Sequence, residues 1–206
     1  MEILYKYKSL KDLKPILDMI VLDKIYGAKL NELNDPMEGA LFSLMDTDVD
    51  EKIKQLKKNK WDTRICSFSK TYKNALMWAH YADGFRGCCI GVEVKTNSWK
   101  KTDVIYDANV KLDLDTISAE NLFTNKHPLW EYEKEVRYIK APGKNNQRSI
   151  NSTFKVKVRE IYFGTRVDRS IEKMITTIAE AVNPKLKGNI KRITKEDLEY
   201  NYIIKL

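Results

Sequence analysis

The period at which apolar residues recur changes several times along the chain, and each change marks an element. Ile3 to Tyr7 alternates as a short strand. The stretch that follows, SLKDLKPILDMIVLDKIYG, carries apolar residues at helical spacing with Ser9 as its cap, and Pro15 fits its first turn or a restart. Ala28 to Leu33 reads as a second short strand running into the turn Asn34-Asp35-Pro36, because a residue before proline is kept out of the helical region. Residues 46–60 are charged and helix-compatible, which predicts a peripheral helix or lid.

Trp61 to Ser69 predicts a strand with Ile65, Ser67 and Ser69 on one face and Cys66 and Phe68 on the other. Asn74 to Asp83 predicts a helix ended by Gly84. Gly87 to Val94 is a β-branched strand whose small residues let another backbone or a ligand come close. Ser98 to Lys101 reads as a turn, Asp103 to Tyr106 as a strand, and residues 107–126 as a helical insert with its helix over Leu112 to Phe123. Glu133 to Lys140 alternates clearly, which places Glu133, Glu135, Arg137 and Ile139 on one face. Ala141 to Ser149 is a polar hairpin-type loop, Phe154 to Phe163 a strand, and Ser170 to Val182 an amphipathic helix. Asn189 to Ile193 and Asn201 to Leu206 are terminal strands. Short strands mixed with a few helices, no internal repeat and no long linker predict one α+β domain over residues 1–206.

Composition narrows the picture. At 206 residues and 43% hydrophobic content the chain can bury a continuous core. A formal net charge of +8 suits an anionic partner such as nucleic acid, a nucleotide or an acidic protein, although the scattered lysines equally describe a solvated surface. Three cysteines, Cys66, Cys88 and Cys89, make a poor disulfide framework and fit a reducing cytoplasm. The N-terminal residues lack the order of a signal peptide, and no run approaches the ~18 apolar residues of a membrane span. A cytoplasmic protein with no membrane association is expected.

Candidate chemistry concentrates in two places. Between Ile65 and Glu93, Ser67 and Ser69 set two hydroxyls about 7 Å apart on one strand face, suited to a polar ligand or to fixing a carboxylate. Trp78, His80 and Tyr81 share one helical turn, Trp78 and Tyr81 being placed to pack together, and ordinary core aromatics would look the same. With only two histidines and with Cys88 and Cys89 on opposite strand faces, a histidine- or cysteine-rich metal site is not expected. The second place is Trp130 to Arg137. Two like charges and a cation on one strand face are costly unless solvated or used, and such a pair can stabilise a cationic, oxocarbenium-like transition state. Periodicity leaves open an exposed salt-bridge ladder instead. Asn34, Asp35 and Glu38 form a rigid turn able to present an amide and carboxylates, as an ordinary Asx turn also does.

Taken in order, Leu4 to Tyr7, Leu33 to Glu38, Cys66 to Ser69, Met77 to Gly84, Gly87 to Val92, Val104 to Tyr106 and Trp130 to Arg137 resemble a large bacterial and phage family, domain-of-unknown-function family 2971, related to AbiGi-type abortive-infection proteins. A remoter resemblance is to the ADP-ribosyltransferase superfamily. Tyr5-Lys6-Tyr7 matches its first element, with Lys6 where that superfamily carries His or Arg; Ser67-Phe68-Ser69 matches its serine strand, and Glu133-x-Glu135 its late glutamate.

The superfamily resemblance implies two small mixed or antiparallel sheets forming a cleft, with peripheral helices. It implies NAD as substrate, with Ser67 and Ser69 supporting the ribose, Tyr81 or Trp78 on the nicotinamide, Glu135 stabilising the oxocarbenium ion and fixed by Arg137, and Glu133 orienting the acceptor. The acceptor would be nucleic acid or an associated protein, and an antitoxin or phage protein would be a further partner. Two other readings stand beside this one: a non-catalytic module that binds or senses a nucleotide or phage component, and a hydrolase or nuclease holding a divalent metal on Asp35, Glu38, Glu133 and Glu135.

Overall fold

The computed structural model describes residues 2–29, 32–33, 62–108, 123–142 and 152–199. The expected turn at Asn34, Asp35 and Glu38, the helix at 46–60, most of the insert at 107–126, nearly all of the loop at 141–149 and the last strand lie outside these residues. In chain order the elements are β1 (Leu4–Lys8), α1 (Lys14–Leu22), β2 (Lys24–Tyr26), β3 (Arg64–Ser69), α2 (Ala75–Tyr81), β4 (Cys88–Lys95), β5 (Lys100–Asp103), β6 (Ile105–Tyr106), β7 (Asn125–Lys126), β8 (Glu135–Lys140), β9 (Thr153–Phe163), α3 (Arg169–Val182) and β10 (Ile190–Arg192). The result is a mixed α/β architecture with a mostly antiparallel sheet and few helices.

Eight strands form one sheet in the order β10-β9-β4-β1-β3-β8-β5, with β2 also paired to β9, and β6 and β7 make a separate parallel pair. In place of the two small sheets expected, the described residues form one large sheet and one two-stranded pair. Its two halves meet through the pair Tyr5–Ser69 between β1 and β3, whereas β1 is matched to β4 over five residues and β3 to β8 over six. Where the β1 and β3 backbones stop pairing, the Lys6 ammonium donates to the Ser67 carbonyl at 2.6 Å. At the far end of β3, Ala28 and Ile65 exchange backbone hydrogen bonds at 2.8 Å each, so the chain leaving β2 borders the opening that β1 leaves.

Alternation along the strands divides the interior. One face carries Leu4, Cys66, Phe68, Cys88, Ile90, Val136 and Ile161 against α1 (Ile16, Met19, Ile20) and α3 (Ile175, Ala179). Each fully buried branched side chain here is worth ~1.5–3 kcal/mol. The other face packs Tyr7 and Cys89 against Met77, Trp78 and Ala82 from and just after α2. Cys88 and Cys89 fall on opposite faces, as strand alternation requires. The close approach expected at the glycine-rich strand is between backbones: a Cβ on Gly87 would lie 2.2 Å from the Lys8 carbonyl and 2.9 Å from Ala82.

Local chemistry explains where the elements depart from expectation. Ser9 does not cap α1. Its hydroxyl accepts from Lys11 N in a local turn, and the helix starts at Lys14 with Pro15 in its first turn, where a missing N–H costs nothing. The second strand, Lys24–Tyr26, comes before the stretch expected, because the left-handed Asp23 (φ 52°) ends α1 at once and turns the chain onto β9; of Ala28 to Leu33, Ala28 makes a single bridge to Ile65 and residues 30–31 lie outside the described residues. Asn74 caps α2 by accepting from Leu76 N and Met77 N. Among the described residues no helix is long and apolar enough to cross a membrane.

Candidate functional site

The antiparallel register of β3 and β8 sets Ser69 opposite Glu135 and Ser67 opposite Arg137, so these four side chains share one sheet face. Glu133 does not precede them on the same strand as alternation predicted. It ends a 3₁₀ turn, Pro128–Glu133, capped by His127, and Lys134 in the left-handed conformation (φ 46°) swings the chain into β8. The junction is pinned from β3: the Ser69 hydroxyl donates to the Glu133 carbonyl at 2.7 Å, and Lys70 N donates to the Lys134 carbonyl at 3.0 Å. Glu133 thus reaches the same place by a turn rather than by the pleat.

Six side chains meet there. Arg137 donates through Nε to Glu135 Oε1 at 2.8 Å and through Nη2 to Glu135 Oε2 at 3.0 Å, and its Nη1 holds the Phe123 carbonyl at 2.8 Å. Lys126 Nζ stands between the carboxylates, 2.6 Å from Glu133 Oε2 and 3.3 Å from Glu135 Oε2. The Tyr81 hydroxyl donates to Glu133 Oε1 at 2.5 Å. Pairing of β6 with β7 puts Tyr106 beside Lys126, and the Tyr106 hydroxyl accepts from Glu135 N at 2.8 Å. Glu133, Glu135, Lys126 and Arg137 are all buried, which rules out the exposed ladder that periodicity had left open.

The two carboxylates have opposite electrostatics. Burial alone raises both. In Glu135 it is outweighed by the Arg137 charge and its hydrogen bonds, by Lys126 and by the nearby Ser67 hydroxyl, which together hold the group down at about 2. In Glu133 burial prevails over Lys126 and Tyr81, and the repulsion of Glu135 adds to it, so its pKa is raised. Burial also raises Tyr81, as does its bond to Glu133, which keeps the phenol protonated as a donor. One carboxylate is a fixed anion, and its neighbour is able to change protonation.

This cluster forms part of the wall of a cleft of about 830 Å³ at the opening between β1 and β3. Of the residues expected at a site, Tyr5, Lys6, Tyr7, Ser67, Ser69, His80, Tyr81, Glu133 and Glu135 line it, and Arg137 lies behind Glu135. Trp78 is a correction. It is fully buried in the second core, its Nε1 donates to the Tyr72 carbonyl at 2.7 Å, and its rings pack on Tyr7 and Phe85, so it is a structural residue with no ligand-facing surface. Three first-strand side chains have structural commitments: Tyr5 donates to Glu160 at 2.6 Å, Tyr7 to the Thr71 carbonyl at 3.0 Å, and Lys6 to Ser67. Asn34, Asp35 and Glu38 lie outside the described residues.

Sequence reasoning missed Lys126, Tyr106 and Lys8. Nothing distinguishes these in a chain with 37 basic residues and 11 tyrosines; only the parallel β6–β7 pairing, between segments far apart in sequence, brings the first two to Glu135. Among the described residues no group of three or more His, Cys, Asp or Glu is disposed to hold a metal ion.

A family model described as a protein of unknown function, DUF2971, matches residues 77–138, less than a third of the chain. The matched segment contains Tyr81, Lys126, Glu133, Glu135 and Arg137, so it takes in most of the charged cluster. No curated protein and no solved structure matches the chain.

Proposed function

We propose that the cleft binds NAD and that the protein transfers ADP-ribose to nucleic acid or an associated protein in bacterial or phage conflict. The observation that carries this reading is Glu135: a carboxylate kept ionised at the wall of a cleft, on the same sheet face as Ser67 and Ser69 and with a protonatable glutamate beside it. Such a fixed negative charge favours an oxocarbenium ion over the neutral ground state. Cleavage of the bond between the nicotinamide nitrogen and the ribose carbon sends the electron pair onto nicotinamide, which leaves neutral. The acceptor oxygen or nitrogen then bonds that carbon, and its proton passes to Glu133. This refines the division of labour expected from resemblance: Glu135 supplies charge, and Glu133 moves the proton.

Incubation of the purified protein with NAD labelled in the adenylate half, in the presence of total cellular nucleic acid or protein, tests the proposal. Label transfer with nicotinamide release is expected. Neither transfer nor release from folded protein would overturn it.

A second reading has its own support. Both oxygens of Glu135 already accept from Arg137 and Lys126, as they would in a module that binds a nucleotide without turning it over. Binding of NAD without release of nicotinamide would select it. The metal-dependent hydrolase is less favoured, because the ammonium and guanidinium occupy the carboxylate oxygens that a divalent cation would need.

A further inference from the structure

The wall of the cleft next to α1 has a different chemistry from the carboxylate end. On β1, Leu4, Lys6 and Lys8 project to one face, the face covered by α1, while Tyr5 and Tyr7 project to the other. Lys6 is engaged by the Ser67 carbonyl and lies 5.6 Å from the centre of the Phe68 ring. Nearby lysines are neutralised at the rim: Lys11 pairs with Asp83 at 2.7 Å and Lys14 with Asp18 at 2.5 Å.

Lys8 is the exception. It lines the cleft and is half-buried, yet among the described residues its ammonium makes no ion pair or hydrogen bond. The groups facing it are the Lys6 ammonium, the thiols of Cys66 and Cys88 and, more remotely, the Asp12 carboxylate, which already accepts from Lys14 N. Burial and the like charge of Lys6 lower Lys8 to about 8. A half-buried ammonium without a partner is incompletely compensated, and an anion delivered by a ligand supplies the missing counter-charge.

Spacing narrows the anion. Side chains two apart on a strand are about 7 Å from one another, wide for a single carboxylate and suited to the oxygens of two linked phosphates, for which lysine serves as a point charge. Lys8 stands three residues along β1 from the Tyr5–Ser69 pair, about 10 Å, and on the opposite sheet face from Ser69 and Glu135, so the two ends of the cleft meet only through the opening between β1 and β3. We propose that Lys8, with Lys6 beside it, is the diphosphate subsite of the cleft. The subsite requires only a phosphorylated ligand and stands apart from glycosyl transfer.

Calorimetric titration of the whole chain with inorganic pyrophosphate near pH 7 tests this. Lys8→Met is expected to weaken binding at least tenfold, while Lys8→Arg and the exposed control Lys187→Met stay within threefold of the parent. Thermal unfolding should find Lys8→Met no less stable than the parent, since it removes an unpaired, half-buried charge; should it not fold, Lys8→Gln takes its place. Undiminished binding by Lys8→Met, equal weakening by Lys187→Met, or no binding by the parent would each overturn the proposal. Nicotinamide release measured on the same samples separates a failure of this subsite from a failure of the transferase reading.

Discussion

Arg137 grips Glu135 with two hydrogen bonds from the next-but-one position of the same strand, and both side chains are buried, at 2% and 5% exposure. A pair so placed is fixed by the pleat itself, since residues i and i+2 of a strand project together. What the fold adds is desolvation: the β6–β7 pair and the Phe123 carbonyl cover the ion pair and deny it water. Neither member can then be removed cheaply, because the survivor is left as a buried, uncompensated charge.

Glu135→Gln should therefore lose about 3 kcal/mol or more of stability and release no nicotinamide. Arg137→Met should lose a similar amount. Combining the two should cost less than the sum, since the double variant strands neither charge. Urea denaturation of the four proteins measures the coupling. Additive losses would mean that the pair is not energetically joined.

The response to acid follows from the same residues. Glu135 has a folded pKa held down to about 2 against 4.5 ordinarily, so its contribution is fully present above 4.5 and is lost as pH falls through 2. Its size is about 3 kcal/mol at neutral pH. Glu133 acts in the opposite sense: with a raised folded pKa, its contribution is present below the ordinary value and is lost as pH rises through the folded one. Denaturation midpoints between pH 6 and pH 2 should fall more steeply for Glu133→Gln than for the parent, and less steeply for Glu135→Gln.

Which of these features the chain discloses depends on how far apart in sequence the partners are. Strand alternation placed Ser67, Ser69, Glu135 and Arg137 on common faces because period two is a local property, and pairing of β3 with β8 only had to bring the faces together. Glu133 reads as part of that alternation, but a left-handed Lys134 breaks the strand, and a lysine at positive φ carries no sequence signal. Trp78 illustrates the reverse failure. A tryptophan one turn from a tyrosine suits a ligand platform or a core equally, and the difference is made by Tyr7 and Phe85 arriving from other segments. The opening of the sheet after the Tyr5–Ser69 pair is a property of the whole topology, not of any segment.

For Trp78 the consequence is direct. Trp78→Ala should destabilise the domain by about 3–5 kcal/mol through the cavity it leaves, whereas Trp78→Phe should cost less and leave ligand affinity unchanged. A selective loss of NAD binding by Trp78→Phe, without loss of stability, would return this residue to the site.

Tyr81 reports on the proton-carrying role. Its hydroxyl bonds the charged form of Glu133 and so lowers that group's pKa against the effect of burial. Removing the hydroxyl in Tyr81→Phe should raise Glu133 further. If Glu133 accepts the acceptor's proton, the acid limb of the pH–rate profile must move to higher pH, with activity recovering above it. An unmoved limb with a uniformly lower rate would assign Tyr81 to positioning and take the proton away from Glu133.

Lys8 offers a chemical test that needs no substrate. With its pKa at about 8, roughly half of its amine is uncharged at pH 8, against less than about 1% for an ordinary lysine. Only the free amine attacks an acylating reagent, so the fraction available at Lys8 is on the order of a hundred times larger, offset by its partial burial. Brief treatment with acetic anhydride at pH 8, followed by peptide mass analysis, should find Lys8 among the first lysines modified, ahead of exposed Lys187. Pyrophosphate should protect it, because an anion at the ammonium both covers it and raises its pKa. Modification of Lys8 at the rate of the surface lysines, or without protection by pyrophosphate, would show that its amine is neither depressed nor seated where an anion binds.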